Sequence, residues 1–148
     1  AFGLYEAVPK KVKSVLIVAG VGNNGGDGIA LSRLLKGEKE VFLYLPMGVK
    51  SPMAKLQLER AKKVGVKIVD KIKEADVVVD AIFGSGLKRD LNKEIKELIK
   101  TLNNMNSYKI ACDIPTGIDE NGLVREIAFK ADITVTMGAL KESLFLDE

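Results

Sequence analysis

The sequence predicts an α/β fold, a three-layer α/β/α sandwich around a mostly parallel sheet. Three observations carry this. Short runs rich in valine, isoleucine and leucine alternate with longer stretches whose apolar residues recur at helical spacing. The strand-like runs are apolar almost without interruption, as in strands covered on both faces. Four of them end in loops dense in glycine or polar residues, "GVGNNGGDG", "DAIFGSGLKRD", "DIPTGID" and "MGALK". Polar chemistry at the ends of several strands is what one ligand site at one edge of such a sheet produces.

Each element has a local reason. "AFGLYEAVP" reads as the end of a helix, cut at its start. "SVLIVAG" (14–20) is a β-branched run closed by glycine, and the helix after it carries Ile29, Leu31, Leu34 and Leu35, with Gly37 as its stop. "EVFLYLP" (40–46) is the second strand. "SPMAKLQLERAKKVG" (51–65) has Ser51 to cap a helix, Pro52 at its first position and Gly65 to close it. "VKIVD" is a short strand and "ADVVVDAIFG" (75–84) a buried one. "NKEIKELIKTLNN" (92–104) puts Ile95, Leu98, Ile99 and Leu102 on one helical face. "YKIACDIPTG" (108–117) and "ADITVTMG" (131–138) complete the strands. There is no internal repeat, linker or low-complexity tract, so 1–148 reads as one domain.

Composition excludes several function classes. The 148 residues are 47% hydrophobic and 29% charged, the balance of a globular domain with one core. Twenty-three basic and 20 acidic residues leave a net charge of +3, too little to argue for nucleic acid, and no aromatic-plus-basic stretch suggests base stacking. With no histidine, a Ser-His-Asp or Cys-His pair is excluded and a catalytic zinc site disfavoured. One cysteine, Cys112, permits no internal disulfide, and no apolar run has the length of a membrane span or signal segment. The expectation is a cytoplasmic protein that engages neither membrane nor nucleic acid.

Gly20, Gly22 and Gly25 satisfy G-x-G-x-x-G between a strand and a helix, the arrangement that seats a pyrophosphate on a helix N-terminus. Alone, this spacing is the Rossmann fingerprint. A dehydrogenase, however, needs an acidic residue after the second strand to hold a ribose, and here that strand ends in Leu45-Pro46-Met47-Gly48. A Walker A loop is excluded because no Gly-Lys-Ser/Thr follows. A structural turn with Asp27 capping the helix is the plainer reading, but it leaves two adjacent asparagines unexplained.

Read together, "VGNNGGDGIALSRLL", "VDAIFGSGL", "ACDIPTGID" and "ADITVTMGALK" resemble, in order and spacing, the NAD(P)H-hydrate epimerase family, also called YjeF N-terminal domains. The resemblance runs from about Val12 to about Lys141. It implies a Rossmann-like fold and a potassium-assisted isomerase of nicotinamide-nucleotide repair. Its substrate is NADHX or NADPHX, the hydrate of NADH or NADPH, whose R and S epimers it interconverts. It implies a nucleotide-contacting loop of Asn23, Asn24, Gly25, Gly26 and Asp27, and a phosphate-binding stretch of Gly84, Ser85, Gly86, Leu87, Lys88, Arg89 and Asp90. Asp113 matches the family's substrate-contacting aspartate, and Asn24, Asp80 and Thr116 match its potassium ligands. The family has serine where Thr116 stands and proline where Leu140 stands. It also carries N-terminal helices, used in dimer formation, and further C-terminal strands, which are expected to be missing from this 148-residue chain. An NAD(P)H-hydrate dehydratase, fused or separate, is the implied partner, and a homodimer the implied assembly.

The residue types suit these roles. An amide oxygen, a carboxylate and a hydroxyl are hard donors, and a single carboxylate favours a monovalent ion. The plainer readings are a buried Asp80 satisfied by backbone N–H groups and a turn hydroxyl at Thr116. Gly84 to Gly86 can turn N–H groups to an anion, and Lys88 and Arg89 are either its counter-charges or solvated surface. Cys112 reads as a buried, inert thiol. For the acid–base role the expectation is Asp113 first and Asp27 second, with burial to raise the carboxyl's pKa. The alternatives are a non-catalytic nucleotide- or RNA-binding module and a nucleotide-dependent oxidoreductase. The intact set of Asn23, Asn24, Asp27, Asp80 and Asp113 disfavours the first, and the missing ribose carboxylate the second.

Overall fold

The computed structural model describes residues 2–83, 92–118 and 127–136. Their elements are α1 (Phe2–Ala7), β1 (Ser14–Ala19), α2 (Asn23–Leu35), β2 (Glu40–Tyr44), α3 (Pro52–Lys63), β3 (Lys67–Val69), β4 (Val77–Ala81), α4 (Lys93–Asn103), β5 (Tyr108–Cys112) and β6 (Ile133–Val135). The six strands form one sheet in the order β3-β2-β1-β4-β5-β6, and every pairing is parallel.

Strand alternation splits the core into two layers. Val15, Ile17 and Ala19 of β1, Val77, Val79 and Ala81 of β4, and Ile110 and Cys112 of β5 face α1, α2 and α3. Leu16, Val18, Val78 and Ala111 face the other way, against Ile95, Leu98, Ile99 and Leu102 of α4 and Phe129. β1 is buried from its second residue and β4 along its length, which is why both are apolar, Ser14 and Asp80 excepted, rather than alternating.

The caps form as the residue types require. The Ser51 hydroxyl accepts from Ala54 N at 3.0 Å and the Asn92 side chain from Ile95 N at 2.9 Å. Gly65 takes a positive φ of 83° just past α3. The second helix departs from expectation in detail. Leu34 is 42% exposed rather than packed, and the helix ends at Leu35 with Lys36 still right-handed. Its end is secured by Leu35 O, which accepts from both Glu38 N and Lys39 N at 2.9 Å.

The chain order reverses at β1, with β2 and β3 on one side and β4, β5 and β6 on the other. In open α/β sheets ligands bind at such a switch point, beyond the carboxyl ends of the strands. The fold therefore assigns a place for the site, between the ends of β1 and β4.

Candidate functional site

The first wall of this crevice is the turn from β1 into α2. Gly20 N donates to Ala81 O at 2.9 Å, and a Cβ on Gly20 would collide with the Ile82 carbonyl. A Cβ on Gly25 would strike the Gly20 carbonyl. These two glycines let strand ends and helix start close onto each other. Gly22, between them, has none of the described residues within 4 Å of where a side chain would stand. It is also the N-cap of α2, and no side chain caps that end. First-turn N–H groups without a side-chain cap are a ready anion site.

The helix sorts the remaining polar residues of "NNGGDG". Asp27 does not cap α2; it lies in the helix's second turn and is half-buried. Asn23 is exposed, whereas Asn24 is half-buried and turns inward. Its Nδ2 donates to Cys112 O at 3.3 Å, and its Oδ1 accepts from the Cys112 thiol at 3.0 Å. The thiol read as inert thus holds a site residue. The available signal was its place on β5: alternation puts Cys112 on the face that α2 covers.

The second wall comes from β4 and β5. Asp80 is 1% exposed. Its Oδ1 accepts from Ile82 N at 3.1 Å and from the Thr116 hydroxyl at 2.7 Å, and its Oδ2 from Thr116 N at 2.7 Å. Burial nevertheless pushes its pKa up to about 6, against the lowering effect of these bonds. Among the described residues no lysine or arginine forms an ion pair with it. Thr116 is itself buried. The expected ion ligands therefore divide. Asp80 and Thr116 touch directly, with Asp80 following Val78 on the α4 face, while Asn24 reaches the same sheet edge from the α2 face.

Asp113 follows β5 and is half-buried. Its φ of 73° makes it the one non-glycine with positive φ among the described residues. Ile114 N donates back to Cys112 O at 3.0 Å, so the chain folds around Asp113 in a three-residue turn. Aspartate tolerates this region better than most residues. Asp27, Asp113 and Asp80 all lie close enough to Cys112 to help burial raise its pKa, to about 12. The end of β5 thus lies within electrostatic reach of three carboxylates.

The stretch 84–90, expected to bind phosphate, lies outside the described residues, as does Leu140. Among the described residues no group of histidine, cysteine, aspartate and glutamate could hold a metal ion. An all-oxygen set of amide, carboxylate and hydroxyl is of a different kind. Asp80 and Thr116 are donors of the hard kind that a monovalent ion takes, and the carboxylate already accepts from Ile82 N, Thr116 N and the Thr116 hydroxyl, as the plainer reading of a carboxylate satisfied by its neighbours expects. No described helix is long and apolar enough to cross a membrane.

Comparison with known proteins agrees with this architecture. The chain is 40% identical to an "NAD(P)H-hydrate epimerase" of Oenococcus oeni, an alignment covering 95% of this chain and 70% of that protein. It is 44% identical to the "Bifunctional NAD(P)H-hydrate repair enzyme Nnr" of Helicobacter pylori, over 90% of this chain and 30% of that protein. The chain thus spans about a third of the bifunctional relatives it matches. Its fold resembles the crystal structure of the yeast protein YNL200c, with a TM-score of 0.73 and 24% identity, covering 84% of this chain and 57% of the yeast one. The family model for the YjeF-related protein N-terminus matches residues 2–143, and to that family this chain belongs.

Proposed function

We propose that the protein is an NAD(P)H-hydrate epimerase, an isomerase that interconverts the R and S epimers of NADHX and NADPHX. The observation that carries this reading is that Asn24, which is bonded to Cys112, Asp113, which follows Cys112, and Asp80, which is bonded to Thr116, stand at the carboxyl ends of the neighbouring strands β4 and β5. The group lies beside a helix N-terminus without a side-chain cap and at the switch point of the sheet. The names of the relatives support it. An oxidoreductase is disfavoured because no acidic residue follows β2.

In the hydrate, a hydroxyl sits on the carbon next to the ring nitrogen. The nitrogen lone pair forms a C=N bond while the C–O bond breaks, and a carboxyl protonates the departing oxygen. The products are water and a planar cation. Water then adds to the opposite face, the electron pair returns to nitrogen, and the carboxylate takes up the proton. Epimer interconversion therefore needs no redox partner. Asp113 is the residue for both proton transfers, since the turn at the end of β5 carries it beyond the strand. Asp27, one turn into α2, is the alternate. The N–H groups of the α2 start receive the substrate pyrophosphate, and 84–90 is proposed to complete that contact. Asn24, Asp80 and Thr116 would hold a potassium ion, which when bound supplies a positive charge beside the nucleotide. A dehydratase acting on the same hydrate is the proposed partner activity, and the cytoplasm the proposed compartment.

Asparagine matches aspartate in shape but cannot exchange a proton. Asp113→Asn should therefore keep nucleotide binding and lose epimerisation by about a hundredfold or more. The measurement is chromatographic conversion of R to S hydrate, less the spontaneous rate. Wild-type turnover in the variant would remove Asp113 from the chemistry and pass the role to Asp27.

A further inference from the structure

The Asn24–Cys112 contact is used by none of the steps above. An asparagine amide has a donor end and an acceptor end of almost equal shape, so only its partners decide which way it faces. Cys112 supplies one of each. Its carbonyl can only accept and meets Nδ2 at 3.3 Å. Its thiol donates to Oδ1 at 3.0 Å. Flipping the amide would set oxygen against oxygen and leave the thiol facing an NH2 group. The partner is itself fixed: Cys112 is fully buried and in register with Val135 of β6. Its carbonyl also accepts from Ile114 N at 3.0 Å, closing the turn around Asp113.

We propose that Cys112 is the positioning residue for Asn24: its thiol and carbonyl together hold the amide in a single orientation at the switch point, so that Oδ1 stands ready for what binds there. The inference rests on the epimerase reading only for its effect on turnover. The same carbonyl fastens Asn24 on one side and bends the chain at Asp113 on the other. One strand end thereby couples a candidate ion ligand to the candidate acid–base group. The thiol acts here as a donor, not as a nucleophile.

The chain has a single cysteine, so its infrared S–H stretching band reports Cys112 alone. The band of the native protein should lie at the lower wavenumber of a hydrogen-bonded thiol, and Asn24→Ala should move it to the higher wavenumber of a buried thiol that donates no bond. An unchanged band in Asn24→Ala would overturn the clamp. Two substitutions then separate positioning from packing. Cys112→Val keeps bulk and removes the donor. It should hold or raise Tm, yet cut kcat or raise the half-saturating potassium concentration about tenfold, as loss of a partner behind a ligand does. Cys112→Ser restores a donor in a less apolar side chain. It should lower Tm but keep activity within about threefold of wild type. If activity instead follows Tm in both variants, Cys112 only packs and the inference fails. If the wild-type chain converts no hydrate, the epimerase reading falls, and the infrared comparison still decides whether Cys112 orients Asn24.

Discussion

Asp76 and Asp80 lie four residues apart, at opposite ends of β4, and their carboxyls are driven in opposite directions. Asp76 Oδ2 accepts from Lys13 N at 2.8 Å and Ser14 N at 3.3 Å. These backbone bonds hold its pKa below the ordinary value. Asp80 accepts two backbone bonds and a third from the Thr116 hydroxyl, yet burial raises its pKa to about 6. Hydrogen bonds favour the charged form in both places. They prevail where water still reaches the carboxyl and lose where it is shut out. The exposed aspartate closes the amino end of the sheet. The buried one stores an unfavourable charge at the carboxyl end, as functional sites do.

The largest effect should come from the buried member. Asp80 has a folded pKa of about 6 against 3.8 for the free side chain. The folded state therefore holds its proton more tightly. Its stabilising contribution is complete below the unfolded value and is lost as pH rises through the folded one. About two pKa units correspond to about 3 kcal/mol at a fully buried group. In potassium-free buffer, the wild type should lose about 2 kcal/mol relative to Asp80→Asn between pH 4 and pH 7, read from urea unfolding. Adding potassium at constant ionic strength should narrow the gap at pH 7, because an ion bound beside the carboxylate stabilises only the folded state. Parallel stability curves for the two proteins would show that Asp80 stores no such charge.

A second test asks whether the carboxyl end is built for a ligand rather than for packing. Among the described residues Gly22 has room for a Cβ, and its φ of −101° is open to any residue. Gly22→Ala should change stability by about 0.5 kcal/mol or less. If a pyrophosphate approaches that backbone, the added methyl should raise KM for the hydrate about tenfold, a cost of about 1.4 kcal/mol. Unchanged KM would place the phosphate away from the α2 start.

Most of the fold was legible because it is written in local chemistry. Valine-rich runs without polar alternation announced buried parallel strands, Ser51 announced a helix start, and the glycine spacing announced a tight strand-to-helix turn. Within the site, Asp80 and Thr116 were paired through the family resemblance, which gave both to one ion, and the residues alone left them as a buried carboxylate and a turn hydroxyl. What stayed hidden depends on direction in space. No sequence pattern says that Asn23 faces water and Asn24 faces Cys112, because consecutive helical residues differ only in azimuth. Nor does one say that Asp113 takes a positive φ, since aspartate occupies many turn conformations. Leu34 misled for the same reason: it is apolar and adjacent to Leu35, yet lies on the outer side of α2.

The smallest effect should come from the exposed end. Asp76→Asn keeps an acceptor for Lys13 N and Ser14 N but removes its charge. Asp76 is open to solvent, so water compensates most of what is lost. A group with a lowered folded pKa contributes stability above its unfolded value, and that contribution disappears as pH falls through the folded one. Asp76→Asn should thus lower Tm slightly at neutral pH, with the difference closing in acid, the reverse of the trend at Asp80. Epimerisation and its response to potassium should stay at wild-type levels, since Asp76 stands at the edge of the sheet away from the switch point. If activity falls together with Tm, the two ends of β4 are coupled, and the division between a structural and a functional carboxylate does not hold.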